Sequence, residues 1–114
     1  MKTIRKRDWI LPPPTLTPVQ QIVVVVAREF GFKPSDLFGQ RRYPEIVEAR
    51  QVAYLIAREM TGWSSAKIAR AFGSRHHTTI LDGVKAAQDR MTPRMRNKIE
   101  RMKAELSMTI GDDE

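Results

Sequence analysis

The spacing of apolar residues predicts helices in the first half of the chain. Between residues 18 and 30 apolar positions recur three or four residues apart, although the β-branched run Val23–Val26 by itself suits a strand. The ends of this segment favour a helix, because Thr17 followed by proline is typical of a helix start and Gly31 is typical of a helix end. A second, clearly amphipathic helix is predicted over 45–61.

The second half of the chain has the pattern of a short helix, a tight turn and a longer helix. Residues 64–73, SSAKIARAFG, are predicted to be helical, with Ser64 or Ser65 as the cap and the final glycine as the end. The next helix is predicted to begin near Arg75 or His76. Its apolar stripe consists of Ile80, Val84, Ala87 and Met91. This order of elements is typical of a helix-turn-helix.

The remaining segments complete an all-α prediction. A short helix or turn capped by Ser35 precedes the basic loop QRRYP, and a last helix over 93–107 carries an apolar stripe that we expect to pack in the core. We therefore predict one helical domain over 17–107, a basic, proline-rich arm over 1–16 and an acidic tail over 108–114.

The charge is concentrated in the second half of the chain. The sequence has a formal net charge of +7, and residues 64–103 contain ten Lys and Arg against three Asp and Glu. A concentrated basic surface favours phosphate polyanions, because neutralising phosphates releases condensed counterions. The pattern therefore indicates a nucleic-acid partner. A basic protein that is merely soluble is the alternative.

Several other classes of protein are disfavoured. The sequence contains no cysteine, which excludes disulfides and thiolate metal sites, and its longest apolar run, IVVVVA, is far shorter than the roughly 20 residues of a membrane span. The apolar part of the basic N-terminus stops at three prolines, so we expect an attached arm rather than a signal peptide. We expect a cytoplasmic, nucleoid-associated protein without membrane contact.

The start of the helix after residue 75 carries the candidate base-reading residues. With Ile80 in the core, a helical wheel places four residues outward: Arg75, Thr78, Asp82 and Lys85. Thr79 lies at the flank of the helix. His76 and His77 lie in its first turn. In a helix-turn-helix the N-terminal turn of the second helix enters the major groove. Threonine, histidine and arginine can all hydrogen-bond to base edges there. Arg75 suits a guanine edge or a phosphate, whereas Asp82 must accept from a cytosine amino group or avoid the phosphates.

Four pieces of the sequence together resemble a known family. They are SDLFGQRR, EARQVAYLIAREMT, SSAKIARAFGSR and HHTTI, in this order. From about Thr17 to Met91 the chain resembles the C-terminal DNA-binding domain of the bacterial chromosomal replication initiator DnaA, which has Asp-His-Thr-Thr-Val where this chain has HHTTI. The resemblance implies a Trp-repressor-like helical domain that binds double-stranded DNA sequence-specifically, with DnaA-box-like sites as the candidate targets.

The resemblance also implies roles for individual residues. His77, Thr78 and Thr79 match positions that read bases in the major groove, and Arg42 matches an arginine that enters the minor groove. Positions associated with phosphate contacts are Arg50, Gln51, Arg58, Thr61 and Ser65. The residue pattern agrees in part, because Arg50 and Arg58 lie off the apolar stripe of their helix and the helix at Ser64 offers its N-terminal amides. Arg41 and Lys85 are expected to be further backbone contacts.

Two departures from the family change these expectations. His76 replaces the acidic residue of the family. Because imidazole can donate a hydrogen bond as well as accept one, the base preferred at this position should change. A single position is typically worth about 1 to 3 kcal/mol of discrimination between bases. The sequence contains no G-x-x-x-x-G-K-[ST] motif. We therefore expect the protein to bind no nucleotide or other cofactor and to have no ATPase activity. We expect a monomer that controls replication or transcription by occupying DNA sites.

Other interpretations remain beside this one. Metal binding by His76 and His77 is disfavoured, because adjacent helical residues diverge by about 100° and no third ligand is evident. No catalytic arrangement of residues is evident in the sequence. Without the resemblance, Arg41 and Arg42 would be read as a solvated loop. A module that uses the same fold to bind RNA or an acidic protein is the competing function.

Overall fold

Six helices and no strand make up the part of the chain that the structure, a computed structural model, describes: residues 16–39, 42–73 and 76–108. The helices are α1 (Pro18–Phe30), α2 (Pro34–Phe38), α3 (Pro44–Thr61), α4 (Ser65–Ala71), α5 (His77–Asp89) and α6 (Pro93–Ser107). The all-α prediction is therefore confirmed. The arm predicted over 1–16 and the tail predicted over 108–114 lie outside the described residues, except for Leu16 and Met108.

Local capping explains where α1 begins and ends. The Thr17 hydroxyl accepts from the Gln20 backbone N–H at 3.2 Å, and the Gln20 side chain accepts from the Thr17 N–H at 3.0 Å, as in the predicted capping box. Gly31 ends the helix with a φ of 81°, a left-handed conformation that glycine adopts without steric cost. The β-branched valines of α1 are thus accommodated in a helix, where Val23, Val25 and Val26 are fully buried.

The start of the short helix α2 differs from its prediction. The N-cap is Lys33 rather than Ser35, with proline at the first helical position. The Asp36 carboxylate accepts from the Lys33 backbone N–H at 3.1 Å and thereby fixes the first turn. The first turn is thus held by the carboxylate three residues after the cap, and not by a serine cap as the sequence suggested.

The central helix of the domain is α3, which contacts each of the other five helices. α5 approaches α3 closely at Gly83, where an added Cβ would lie 2.6 Å from Cδ2 of Tyr54. The Tyr54 ring packs edge-on against Phe72, which follows α4, with ring centroids 4.8 Å apart. These contacts hold α4 and α5 against α3 as a helix-turn-helix.

The last helix, α6, packs on the side formed by α1 and α3. Ile99, Met102 and Leu106 are buried, which confirms that the apolar stripe of this helix belongs to the core. Arg28 of α1 donates to both carboxylate oxygens of Glu105, at 2.6 and 2.7 Å, and this bond raises the pKa of Arg28 further above its ordinary value. α6 is therefore an integral part of the domain.

Candidate nucleic-acid interface

The first turn of α5 presents polar side chains to solvent. His76, His77, Thr78 and Thr79 are all exposed, while the next residue, Ile80, is fully buried. His76 is the N-cap of the helix, and its side chain makes no capping hydrogen bond. Its imidazole is therefore not used by the fold at this helix end.

Residues from distant parts of the sequence meet beside this turn. A cleft of about 320 Å³ lies between α3 and α5, and the polar residues of its lining are Arg42, Arg50, Gln51, Thr79 and Asp82. Arg42 is exposed and comes just before α3. The structure thus brings the predicted minor-groove residue and a predicted major-groove residue to the same side of the domain.

A second group of predicted site residues lies at the junction of α3 and α4. Arg58 is exposed, and its Nη1 donates to the hydroxyl of Ser65 at 3.4 Å. The Ser64 hydroxyl accepts from the Lys67 N–H at 3.1 Å, which makes Ser64 the cap of α4, one of the two candidates from the sequence. Arg58 and Ser64 are exposed and Ser65 is half-buried, so these residues form a polar edge at the start of α4.

Thr61, expected to contact a phosphate, has its hydroxyl engaged within the domain. The hydroxyl donates to the Ala57 carbonyl at 2.6 Å and accepts from the Trp63 N–H at 3.0 Å. A hydroxyl has a single proton to donate, so in this arrangement it has none for a phosphate oxygen. Its observed contacts stabilise the end of α3.

Arg50, which a helical wheel places off the apolar stripe of α3, is largely buried in the structure. Only 7% of Arg50 is exposed, and its guanidinium donates to the carbonyls of Leu37 at 2.9 Å and of Asp36 at 3.0 Å. These are the orphan carbonyls at the end of α2, which the helix itself cannot satisfy. The docking of α2 against α3 thus draws the arginine inward, while Arg50 still lines the cleft between α3 and α5 and its contact with a phosphate stays a prediction.

The remaining predicted contacts are placed as follows. Lys85 is exposed on α5 and forms an ion pair with Asp89 at 3.3 Å, a type of surface pair that contributes little to stability. Arg41 and Arg75 lie outside the described residues. Asp82 is exposed and places a carboxylate on the wall of the cleft.

Sequence reasoning missed one basic residue of this surface, Arg90. Its Nη2 donates to Oε1 of Gln51 at 2.6 Å, and its Nε lies 3.5 Å from a carboxylate oxygen of Glu48. Arg90 follows α5, whereas its two partners belong to α3. No local pattern links residues so far apart in sequence, so only the packing of the two helices reveals the contact.

Neither a metal-binding cluster nor a membrane-spanning helix is found among the described residues. No group of three or more His, Asp or Glu side chains among them is arranged to hold a metal ion. None of the six helices is both long enough and apolar enough to cross a membrane.

Comparison with known proteins identifies the family of this fold. The sequence model of the family described as "Bacterial dnaA protein helix-turn-helix" matches residues 19–86. The chromosomal replication initiator protein DnaA of Streptococcus uberis is 39% identical over 80 residues, which cover 70% of this chain and 18% of that protein. The protein of the same name from Rhodopseudomonas palustris is 41% identical over 80 residues, 69% of this chain and 17% of that protein. The matched segment therefore spans less than a fifth of these relatives.

Proposed function

The chain belongs to the family of the bacterial DnaA helix-turn-helix, and we propose that it binds double-stranded DNA in a sequence-specific manner. In this proposal the first turn of α5 lies in the major groove and Arg42 reaches into the adjacent minor groove. The bases are read by Arg42, Arg75, His76, His77, Thr78 and Thr79.

The observation that carries the proposal is the convergence of polar side chains on one face. Thr79 of α5 lines the same cleft as Arg42 and Gln51, and the neighbouring His77 and Thr78 are exposed. A helix end with short, exposed polar side chains can approach base edges closely, and a nearby arginine can follow the backbone into the minor groove.

The chemistry of the first turn of α5 suits base recognition. A threonine hydroxyl can hydrogen-bond with a base edge while its methyl group packs against the methyl group of thymine. The exposed imidazoles of His76 and His77 can each donate or accept a hydrogen bond. Because His76 stands where the family has an acidic residue, we propose that the preferred site is a variant of the DnaA box.

Contacts with the DNA backbone are proposed on both sides of this turn. In this proposal Gln51, which lines the cleft, and the exposed Lys85 on α5 contact phosphates near the bound groove. Arg58, Ser64 and Ser65 form the polar edge at the start of α4, where the backbone of a bound duplex would pass. These contacts fix the register of the protein but carry no base information.

The biological role we propose is control of replication or transcription by occupancy of sites. The relatives are named as chromosomal replication initiators, and in this proposal the binding face described above contacts DNA without a nucleotide or a metal ion. We further propose that the protein binds as a monomer and acts in the cytoplasm, associated with the nucleoid. The competing function, binding of RNA or of an acidic protein, draws support from Asp82, whose carboxylate on the cleft wall is unfavourable near phosphates.

Selection from a random duplex library, followed by binding assays, tests this function. We expect the full chain to enrich one family of duplex sequences. The selected duplex should bind more tightly than a scrambled duplex, the corresponding single strands or an RNA of the same sequence, at two salt concentrations. A specific protein typically prefers its site over random DNA by a factor of about 1,000 or more.

Two outcomes would contradict the proposal. If no duplex is retained at moderate salt, the face does not serve DNA binding. If RNA or single strands bind as tightly as the selected duplex, the fold is used by the competing function.

A further inference from the structure

Arg90 joins the two helices that border the proposed DNA-binding face. It caps the C-terminal end of α5 and lies beyond residues 19–86, the part that matches the family. Its guanidinium donates to Oε1 of Gln51 at 2.6 Å and lies 3.5 Å from Glu48, with 44% of the side chain exposed. The contact therefore lies at the surface, where a ligand can reach it.

The chemistry of this hydrogen bond determines how the Gln51 amide is oriented. A guanidinium group has five N–H donors and no acceptor, so Gln51 must turn its oxygen toward Arg90. The amide nitrogen then points to the opposite side, where its two N–H groups can donate to an acceptor. Phosphate oxygens accept only, so this orientation is the one that a phosphate contact requires.

Arg90 also changes the electrostatics beside the loop before α3. Arg42, Gln51, Glu48 and Arg90 line one surface recess next to the cleft. The carboxylate of Glu48 alone would repel a DNA backbone, but the neighbouring guanidinium offsets this charge. The recess is thus lined by two arginines and by Gln51, whose amide oxygen accepts from Arg90.

We propose that Arg90 is a positioning residue for DNA binding and that the recess it forms with Arg42 and Gln51 holds a backbone phosphate. Arg90 orients the amide of Gln51, offsets Glu48 and adds its own charge to the phosphate. This inference rests on the proposed function, because it names a contact within the same protein–DNA interface.

A double-mutant cycle on the full chain tests the inference. The variants are Arg90→Ala, Gln51→Ala and the double variant, each measured against the selected duplex at four salt concentrations. Arg94→Ala is the matched control, because it removes the same charge from an exposed position at the start of α6. Arg90→Lys is the conservative variant, since lysine also donates only and keeps the charge. Thermal unfolding checks that every variant is folded.

We expect Arg90→Ala to weaken DNA binding about tenfold. The double variant should bind DNA almost as tightly as Arg90→Ala alone, because without Arg90 the amide of Gln51 is no longer oriented. The slope of log Kd against log salt should fall by about one for Arg90→Ala and remain unchanged for Gln51→Ala, because only the arginine carries charge. Arg90→Lys should restore most of the affinity, and Arg94→Ala should cost less than about threefold.

The inference is overturned if Arg90→Ala behaves like Arg94→Ala, or if the effects of Arg90→Ala and Gln51→Ala simply multiply. Either result with tight binding by the unchanged chain leaves the proposed function intact. If the unchanged chain itself retains no duplex, both the function and the inference are overturned.

Discussion

Thr78 and Thr79 are exposed at the start of the helix that we propose enters the major groove. Both are short and each combines a hydroxyl with a methyl group, so they can contact a base edge without holding the helix away from the DNA. Thr79 also lines the cleft that contains Arg42. In the proposed complex, a side chain in this position distinguishes one base pair from another and contributes little to contacts with the charged backbone.

Thr79→Ala should therefore weaken binding to the selected duplex by roughly tenfold, within the 1 to 3 kcal/mol range of a base contact, and should leave binding to random DNA nearly unchanged. Fluorescence anisotropy with both duplexes measures the two affinities. Ser107→Ala, which removes an exposed hydroxyl at the end of α6, is the control and should change neither. Equal losses on both duplexes would exclude base reading by Thr79.

At the scale of elements, ion pairs connect α6 to α3. Glu59 accepts hydrogen bonds from Lys103 at 2.9 Å and from Arg96 at 3.3 Å. Partial burial favours the neutral acid, but the two basic partners outweigh this effect and hold the pKa of Glu59 below its ordinary value. The ionised carboxylate is therefore favoured more in the folded chain than in the unfolded chain.

The pH dependence of this contact follows from the lowered pKa. The stabilisation is fully present above the unfolded-state pKa of Glu59, ordinarily 4.5, and is lost as pH falls through the lower folded-state pKa. Glu59→Gln should lower the free energy of unfolding at pH 7 by at most about 1 kcal/mol, since these groups are partly solvated. The difference in unfolding free energy between Glu59→Gln and the unchanged chain should shrink below pH 4.5. Urea unfolding at a series of pH values measures this difference.

Asp82→Asn serves as the control for Glu59→Gln. It also neutralises a carboxylate, but on the exposed face of α5, with no ion pair among the described residues. Its effect on the free energy of unfolding should be small at every pH. A loss for Glu59→Gln that persists unchanged at low pH would show that packing, and not the ion pairs, accounts for it.

At the scale of the whole molecule, stability and the proposed binding face are largely separate. The core includes buried residues of α6, while the exposed face is built by α5, the start of α4 and the region around Arg42. The net charge of +7 strengthens binding to polyanions without directing the chain to one sequence. Specificity and stability should thus respond to different substitutions.

Leu106→Ala tests this separation. Leu106 is fully buried where α6 meets the core, so the substitution should lower the free energy of unfolding by about 2 to 5 kcal/mol. Met108→Ala is the control, because Met108 is exposed and should cost little. At a temperature where the variant is folded, its Kd for the selected duplex should lie within about twofold of the unchanged chain, close to measurement error. A much larger loss of affinity in the folded variant would show that α6 takes part in binding.

Local signals in the sequence were sufficient to predict the helices and the helix-turn-helix. The ends of α1 at Thr17 and Gly31, and the cap of α6 at Thr92, depend on hydrogen bonds between residues within about one helical turn. Such bonds connect residues that are close in sequence, so the local pattern is enough to predict them. The exposed first turn of α5 follows in the same way from the periodicity that places Ile80 in the core.

Only the tertiary structure decided where the long polar side chains point and which residues each site residue contacts. A helical wheel places Arg50 off the apolar stripe, yet the carbonyls at the end of α2 draw it into the fold. The close approach at Gly83 and the hydrogen bond from Arg90 to Gln51 depend on how α5 lies against α3. Arginine and glutamine side chains are long and flexible, so their partners are set by whichever elements pack beside them and not by their neighbours in sequence.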